Sequence, residues 1–114
     1  MTDRELIEMA AKAAGVEGEW EDHPQINGRD ASGIYIEGHT FLWNPLASND
    51  DALKLLVTCG VDLDCGPDYI SAYVWDFAEN RSIVKDITEQ FGGDKLAAYR
   101  RAITRAAAAI GGAR

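Results

Sequence analysis

Apolar positions recur at helical spacing in three stretches of this chain and alternate with polar ones in several others, and that contrast sets the expected order of elements. Leu6, Ile7, Met9, Ala10, Ala13 and Ala14 form the first helical stripe. Thr2 followed three residues later by Glu5 is a capping-box pattern, in which each residue satisfies an orphan backbone amide of the other. With Gly15 as terminator, the pattern predicts a helix over residues 2–14. From Val16 to Ala31 the composition shifts to Gly, Glu, Asp and Asn with Pro24, and Asn27-Gly28 is a turn signal. That stretch reads as loop, with at most a short strand near Trp20.

Gly33-Ile34-Tyr35-Ile36 and Thr40-Phe41-Leu42-Trp43 are short β-branched and aromatic runs joined by Glu37-Gly38-His39, which predicts a hairpin. Pro45 has no amide hydrogen for a ladder and biases Asn44 to extended geometry, so the strand ends there. Ser48 is placed to cap a second helix, with Asp50 and Asp51 in the first turn where the helix dipole favours anions. Leu53, Leu56 and Val57 are expected to face the core until Gly60 ends the helix. Val61-Asp62-Leu63-Asp64-Cys65 alternates strictly, Gly66-Pro67-Asp68 turns, and residues 69–75 form a second strand-like run, hence a second hairpin. Residues 82–87 make a weaker strand. Gly92-Gly93-Asp94 then opens a last helix with Leu96, Tyr99, Ile103, Ala107 and Ile110 at helical spacing. The order αββαβββα predicts an α+β domain spanning residues 1–114, with about three helices packed on an antiparallel sheet of four to five strands.

Composition supports a folded chain. At 114 residues, with 46% hydrophobic and 26% charged residues, a core can form without staples. No apolar run approaches the roughly 18–20 residues a membrane span requires, and Met1-Thr2-Asp3-Arg4-Glu5 is acidic where a secretory signal would be basic and then apolar, so the expected location is the cytoplasm. In that compartment Cys59 and Cys65 are expected as two half-buried thiols, a disulfide being the rarer outcome.

The net charge is −8, but residues 94–114 carry Lys95, Arg100, Arg101, Arg105 and Arg114 against Asp94 alone, so the rest of the molecule is strongly acidic. Bulk nucleic-acid binding needs a concentrated positive field, and this body argues against it.

Three groups of residues carry a family resemblance. They are Met1 to Leu6 with Ala10 to Gly15, Trp43-Asn44-Pro45-Leu46 with Asp50-Asp51-Ala52-Leu53, and Tyr99-Arg100-Arg101-Ala102-Ile103 with Ala106 to Gly111. Together they resemble a family of small uncharacterised proteins encoded in bacteriophages and prophages. The resemblance implies an origin and brings no catalytic or binding residues with it. Residues 16–32 and 65–90 lie outside it and are where relatives are expected to differ and to meet different partners.

Candidate chemistry is thin. Asp62, Asp64 and Asp68 with Gly66 suggest the start of a calcium loop, but the glycine comes one position early and the twelfth position would be Tyr73, so the bidentate glutamate is missing. The plainer reading places Asp62 and Asp64 on the solvent face of a strand. His23 and His39 lie in polar loop sequence without a partner at ligand spacing. Cys65 or Ser48 as a nucleophile would need an adjacent histidine that no spacing suggests, and Ser48 is already used as a cap.

The aromatic residues say more. Tyr69, Ser71, Tyr73 and Trp75 fall on one face of a strand, with Ile70, Ala72 and Val74 on the other. If the helices all cover the aliphatic face, Tyr69, Tyr73 and Trp75, joined by Tyr35 or Trp43, form a patch suited to a protein partner or a second copy of the chain. If the first helix or the long loop folds over it, the patch is core. The expected function is therefore that of a non-enzymatic phage or prophage accessory protein, without cofactor or metal, that binds a host or phage protein or forms a homodimer. Two alternatives stay open: an acidic body that mimics nucleic acid and occupies the groove of a host DNA-binding factor, and a small metal-dependent hydrolase built on Asp62, Asp64 and His39.

Overall fold

The computed structural model describes residues 1–26, 29–39 and 41–113. The turn expected at Asn27-Gly28 and the strand start expected at Thr40 lie outside the described residues. Three helices and five strands follow in the order αββαβββα: α1 (Asp3–Ala14), β1 (Glu19–Ile26), β2 (Arg29–Tyr35), α2 (Asn49–Cys59), β3 (Val61–Cys65), β4 (Tyr69–Asp76), β5 (Arg81–Gln90) and α3 (Lys95–Gly112). The strands divide into two antiparallel sheets, β1-β2 and β3-β4-β5.

α3 is the central element because it is rich in small residues on all sides. Ala98, Ala102 and Ala106 pack under Ile70, Ala72 and Val74 of β4, with Val61, Val84 and Ile87 completing that cluster. On another flank Ile103 and Ala107 meet Ala10 of α1 and Ala52 and Leu55 of α2. Alanine lets two layers approach one helix closely without overpacking. The core side of α3 is thus an alanine face, and Leu96, the first apolar residue of the helical spacing, is exposed. α1 crosses α3 near Gly111, and its other flank, through Ile7 and Ala11, supports Ile34 of β2 with Trp20, Ile36 and Trp43 around it.

The helix ends behave as their residues dictate. Thr2 Oγ1 accepts from the Glu5 amide at 3.1 Å and the Glu5 carboxylate accepts from the Thr2 amide at 3.3 Å, completing the capping box. The Thr2 backbone bond, and then its hydroxyl, hold the Glu5 carboxyl below its ordinary value. Ser48 and Asp94 cap α2 and α3 through the amides of Asp51 and Ala97. Gly15 and Gly60 close α1 and α2 in the left-handed conformation.

Three expectations require correction. The stretch read as loop forms β1 and pairs with β2 from Glu19↔Tyr35 to Ile26↔Arg29. Its residues are too polar to alternate clearly: Glu19, Glu21 and Asp22 surround Trp20, which with Ile34 packs toward α1. Consequently β2 takes β1 as its partner, and the hairpin expected with residues 40–43 reduces to a single bridge, Ile34↔Trp43, with reciprocal bonds of 2.9 and 2.8 Å. In α2 the inward stripe is Ala52, Leu55, Leu56 and Cys59. Leu53 and Val57 lie one position off that stripe, about 100° around the helix, and are 60% and 71% exposed.

β5 is longer than expected and is an edge strand interrupted twice. Ala72 pairs with Ile87 and Val74 with Val84, so Tyr73 alone faces both Lys85 and Asp86, and Ile83 is extruded where Val74 and Trp75 pair with Val84 and Ser82. Asp86 holds a left-handed φ of 63° in the first bulge. Asp86→Gly should therefore stabilise the protein by about 0.5–1 kcal/mol, read as a higher urea midpoint at unchanged slope. A lower midpoint would show that the Asp86 side chain contributes more than its backbone costs.

Candidate functional site

The outer face of the β3-β4-β5 sheet is the surface that β4 builds by simple alternation. Ile70, Ala72 and Val74 point into α3, and Tyr69, Ser71, Tyr73 and Trp75 therefore point away from it. α1 packs on α3, α2 and β2, and the β1-β2 hairpin sits against α1, so among the described residues neither element is packed over β4. Tyr73 is 37% exposed, while Tyr69 and Trp75 are half-buried. The Tyr69 ring lies over Gly66, where a Cβ would come within 2.1 Å of ring carbon Cε1, so the turn before β4 needs glycine for this ring position. Beside Tyr69 and Tyr73, Ser71 and Thr88 share a hydroxyl bond of 3.0 Å across β4 and β5.

The β3 register places acids beside the aromatics. Asp62 pairs with Tyr73 and Asp64 with Ser71. This is the solvent-face placement expected of the two aspartates. Asp68 lies in the turn, where its carbonyl accepts from the Phe91 amide at 3.0 Å. His39 instead lines a groove of about 820 Å³ beside α2 with Ile36, Phe41, Trp43, Lys54 and Leu55. The structure therefore does not bring His39 together with Asp62 and Asp64, and among the described residues no three His, Cys, Asp or Glu side chains are grouped to hold a metal ion. The His23 side chain lies outside the described residues.

Of the five residues expected at an interaction surface, the structure brings together Tyr69, Tyr73 and Trp75. Tyr35 is exposed on the other sheet, opposite Glu19. Trp43 packs against the clusters around Ile7 and Leu55 and lines the groove, so its ring serves the fold. Phe77, 88% exposed just beyond β4, is an apolar residue that the sequence reading missed; its position in the turn after a Tyr-Trp strand is the signal that could have found it.

The groove beside α2 is built from engaged groups. Lys54 pairs with Asp50 at 2.9 Å, and that hydrogen bond holds the ammonium above its ordinary pKa. Asp51 Oδ2 accepts from the Asn44 amide at 2.9 Å, and the Asp51 amide donates to Ser48 Oγ at 3.2 Å, which confirms Ser48 as a cap.

The basic carboxyl-terminal helix is likewise turned to internal use. Arg100 donates through Nε to the Leu46 carbonyl at 2.8 Å and through Nη1 to Asn49 Oδ1 at 2.7 Å. Arg101 pairs with Asp3 at 3.1 Å, and Arg105 donates to the Glu89 carboxylate and to the Thr88 carbonyl. These guanidiniums tie α3 to its neighbours instead of forming a basic patch. Cys59 and Cys65 are both thiols; Cys59 is half-buried, but Cys65, expected to be, is exposed and accepts a bond from the Tyr99 hydroxyl at 3.1 Å. That bond is the first cause holding the Tyr99 phenol above its ordinary pKa. Among the described residues no helix is long and apolar enough to cross a membrane. Comparison with family models, with curated proteins and with solved structures finds no match for this chain.

Proposed function

We propose that this chain is a phage or prophage accessory protein that works in the cytoplasm of the host by binding another protein, without chemistry of its own. The outer face of the β3-β4-β5 sheet is its docking surface. The observation that carries this reading is the uncovered side of β4, where Tyr69, Tyr73 and Trp75 line up opposite the alanine face of α3. Tyrosine and tryptophan contribute large contact area at small entropic cost, which suits them to anchor an interface. The residues that carry the phage resemblance support the same division of labour. Asn44, Asp51, Arg100 and Gly111 are engaged in holding the fold, whereas β4 and β5 lie within residues 65–90, outside that resemblance.

Affinity capture from the bacterial host with the native chain and with Tyr73→Ala tests the reading. Tyr73 is exposed, so its truncation should leave the fold intact. The expected result is one specific partner whose recovery falls about tenfold with Tyr73→Ala, an effect within the range of interface anchors. Equal recovery with both chains would overturn it.

A second reading, the nucleic-acid mimic, draws on one observation: Arg100, Arg101 and Arg105 are committed to internal bonds, which leaves the surface carboxylates without a compensating basic patch. Its mark would be a partner displaced by duplex DNA and released steeply by salt.

A further inference from the structure

Taking the sheet face as a docking surface, we infer that the segment of the partner seated on it is cationic, an arginine-bearing stretch of protein whose guanidinium lies over Tyr73 and pairs with Asp62. This rests on the function proposed above and adds the chemistry of what is recognised.

Register supplies the argument. Asp62 and Tyr73 are direct cross-strand partners, as are Asp64 and Ser71. Such partners have Cβ atoms about 4.5–5.5 Å apart, so a carboxylate and a tyrosine ring project from neighbouring positions of the same face. Neither Asp62 nor Asp64 is paired with a cation among the described residues, although Arg100, Arg101 and Arg105 all find acceptors elsewhere. The bulge opposite Tyr73 adds one charge of each sign, Lys85 and Asp86, so the balance around the ring stays negative. Aspartate is disfavoured in strands, and β3 places two of them in five residues on a face that also carries three aromatics.

Guanidinium is the group that uses both features at once. It binds a carboxylate with two parallel hydrogen bonds while its plane stacks on an aromatic face. An anionic or purely apolar partner would leave Asp62 and Asp64 desolvated without compensation. A second copy of this chain, net charge −8, would bring the same carboxylates to the contact and be repelled.

The probe is a synthetic peptide alternating arginine and serine, with glutamine-for-arginine and lysine-for-arginine controls, titrated into isotope-labelled full-length chain and followed by backbone amide shifts and tryptophan fluorescence. The expected result is shifts concentrated on β3 and β4, tightest binding by the arginine peptide, no binding by the glutamine peptide, and about tenfold weaker binding for Asp62→Asn with Asp64→Asn and for Tyr73→Ala. Shifts spread evenly over the acidic surface, α2 included, would show diffuse charge attraction and overturn the inference.

Variants that aggregate more but bind the peptide as well as the native chain would also overturn it, because the aspartates would then guard an edge strand. Applying both variants to the captured host partner separates the two proposals. Loss with Tyr73→Ala alone removes the cationic partner and keeps the docking face. Retention with both variants removes the two together. Concentration-dependent dimerisation abolished by Tyr73→Ala would make a second copy the occupant and overturn the cationic partner.

Discussion

Asn44→Ala should lower stability by about 2–4 kcal/mol, seen as a lower urea midpoint with unchanged slope. Asn44 joins three parts of the molecule, two of them through its side chain. Its Nδ2 donates to the Ser32 carbonyl of β2 at 2.9 Å, and its Oδ1 accepts from the amides of Leu46 and Ala47 at 3.0 and 3.2 Å. Its backbone amide donates to Asp51 in the first turn of α2. Each side-chain bond contributes about 1 kcal/mol net, and losing the donor leaves a half-buried carbonyl short of a partner. Against a total of about 5–15 kcal/mol for a domain of this class, that is a large fraction.

Asn44→Asp separates the contributions, since a carboxylate still accepts from Leu46 and Ala47 but has no hydrogen to give Ser32. It also brings a negative charge toward Asp51. Faster hydrogen exchange at Leu46 and Ala47 should accompany Asn44→Ala and be absent from Asn44→Asp. A loss below about 0.5 kcal/mol for Asn44→Ala would mean that Pro45 and the Ile34↔Trp43 bridge hold the turn by themselves.

The same residue shows where sequence reading reaches and where it stops. Ser48 made the helix start legible, because capping is a local rule that needs no tertiary context, whereas the strand that Pro45 was expected to end is a single bridge at Trp43. Thr2-Glu5, Gly15, Gly60 and the strict alternation of Val61 to Cys65 were legible for the same reason. What Asn44 bonds to was not, since Ser32 is twelve residues away and reachable only after β2 has paired with β1. That pairing was itself hidden, because Glu19, Glu21 and Asp22 surround Trp20 with acids on or near solvent, which erases the alternating signal. Leu53 and Val57 mislead in the opposite sense: leucine and valine were assigned to the core by type, whereas the smaller Ala52 and the half-buried Leu56 and Cys59 fill the space under α2.

At the candidate site the division is similar. Alternation along β4 alone sorts Tyr69, Tyr73 and Trp75 from Ile70, Ala72 and Val74, and the structure keeps that sorting. Tyr35 and Trp43 could not be placed by alternation, because membership of a face across two sheets is a tertiary fact. The Asp62 and Tyr73 pairing was not readable from the turn: the hairpin closes through the Gly66 amide on the Tyr69 carbonyl, whereas the turn read over residues 66–68 would pair Cys65 with Tyr69 and slip the register by one.

Two neighbouring glycines at the end of α3 should respond to alanine with opposite sign. By helix propensity alone, Gly→Ala inside a helix stabilises by up to about 1 kcal/mol. Gly112 has open space where a Cβ would stand, so Gly112→Ala should give a small gain, reduced because the position is the last of the helix. Gly111 is where α3 meets α1. A Cβ there would stand 2.0 Å from the Met9 carbonyl oxygen, 2.9 Å from its carbon and 3.3 Å from the Ala13 amide nitrogen. These are backbone atoms of a helix, and no rotamer change moves them. Either the two helices part, opening gaps around Ala10, Ile103 and Ala107, or the last turn of α3 unwinds. Both outcomes exceed the propensity gain, and Gly111→Ala should lose about 1–3 kcal/mol net. Parted helices would lower the slope or broaden the transition along with the midpoint, whereas an unwound turn would lower helical ellipticity at unchanged slope. A Gly111→Ala chain as stable as Gly112→Ala would mean that α1 does not approach α3 this closely, and the alanine-lined centre on which the exposed face of β4 depends would have to be packed another way.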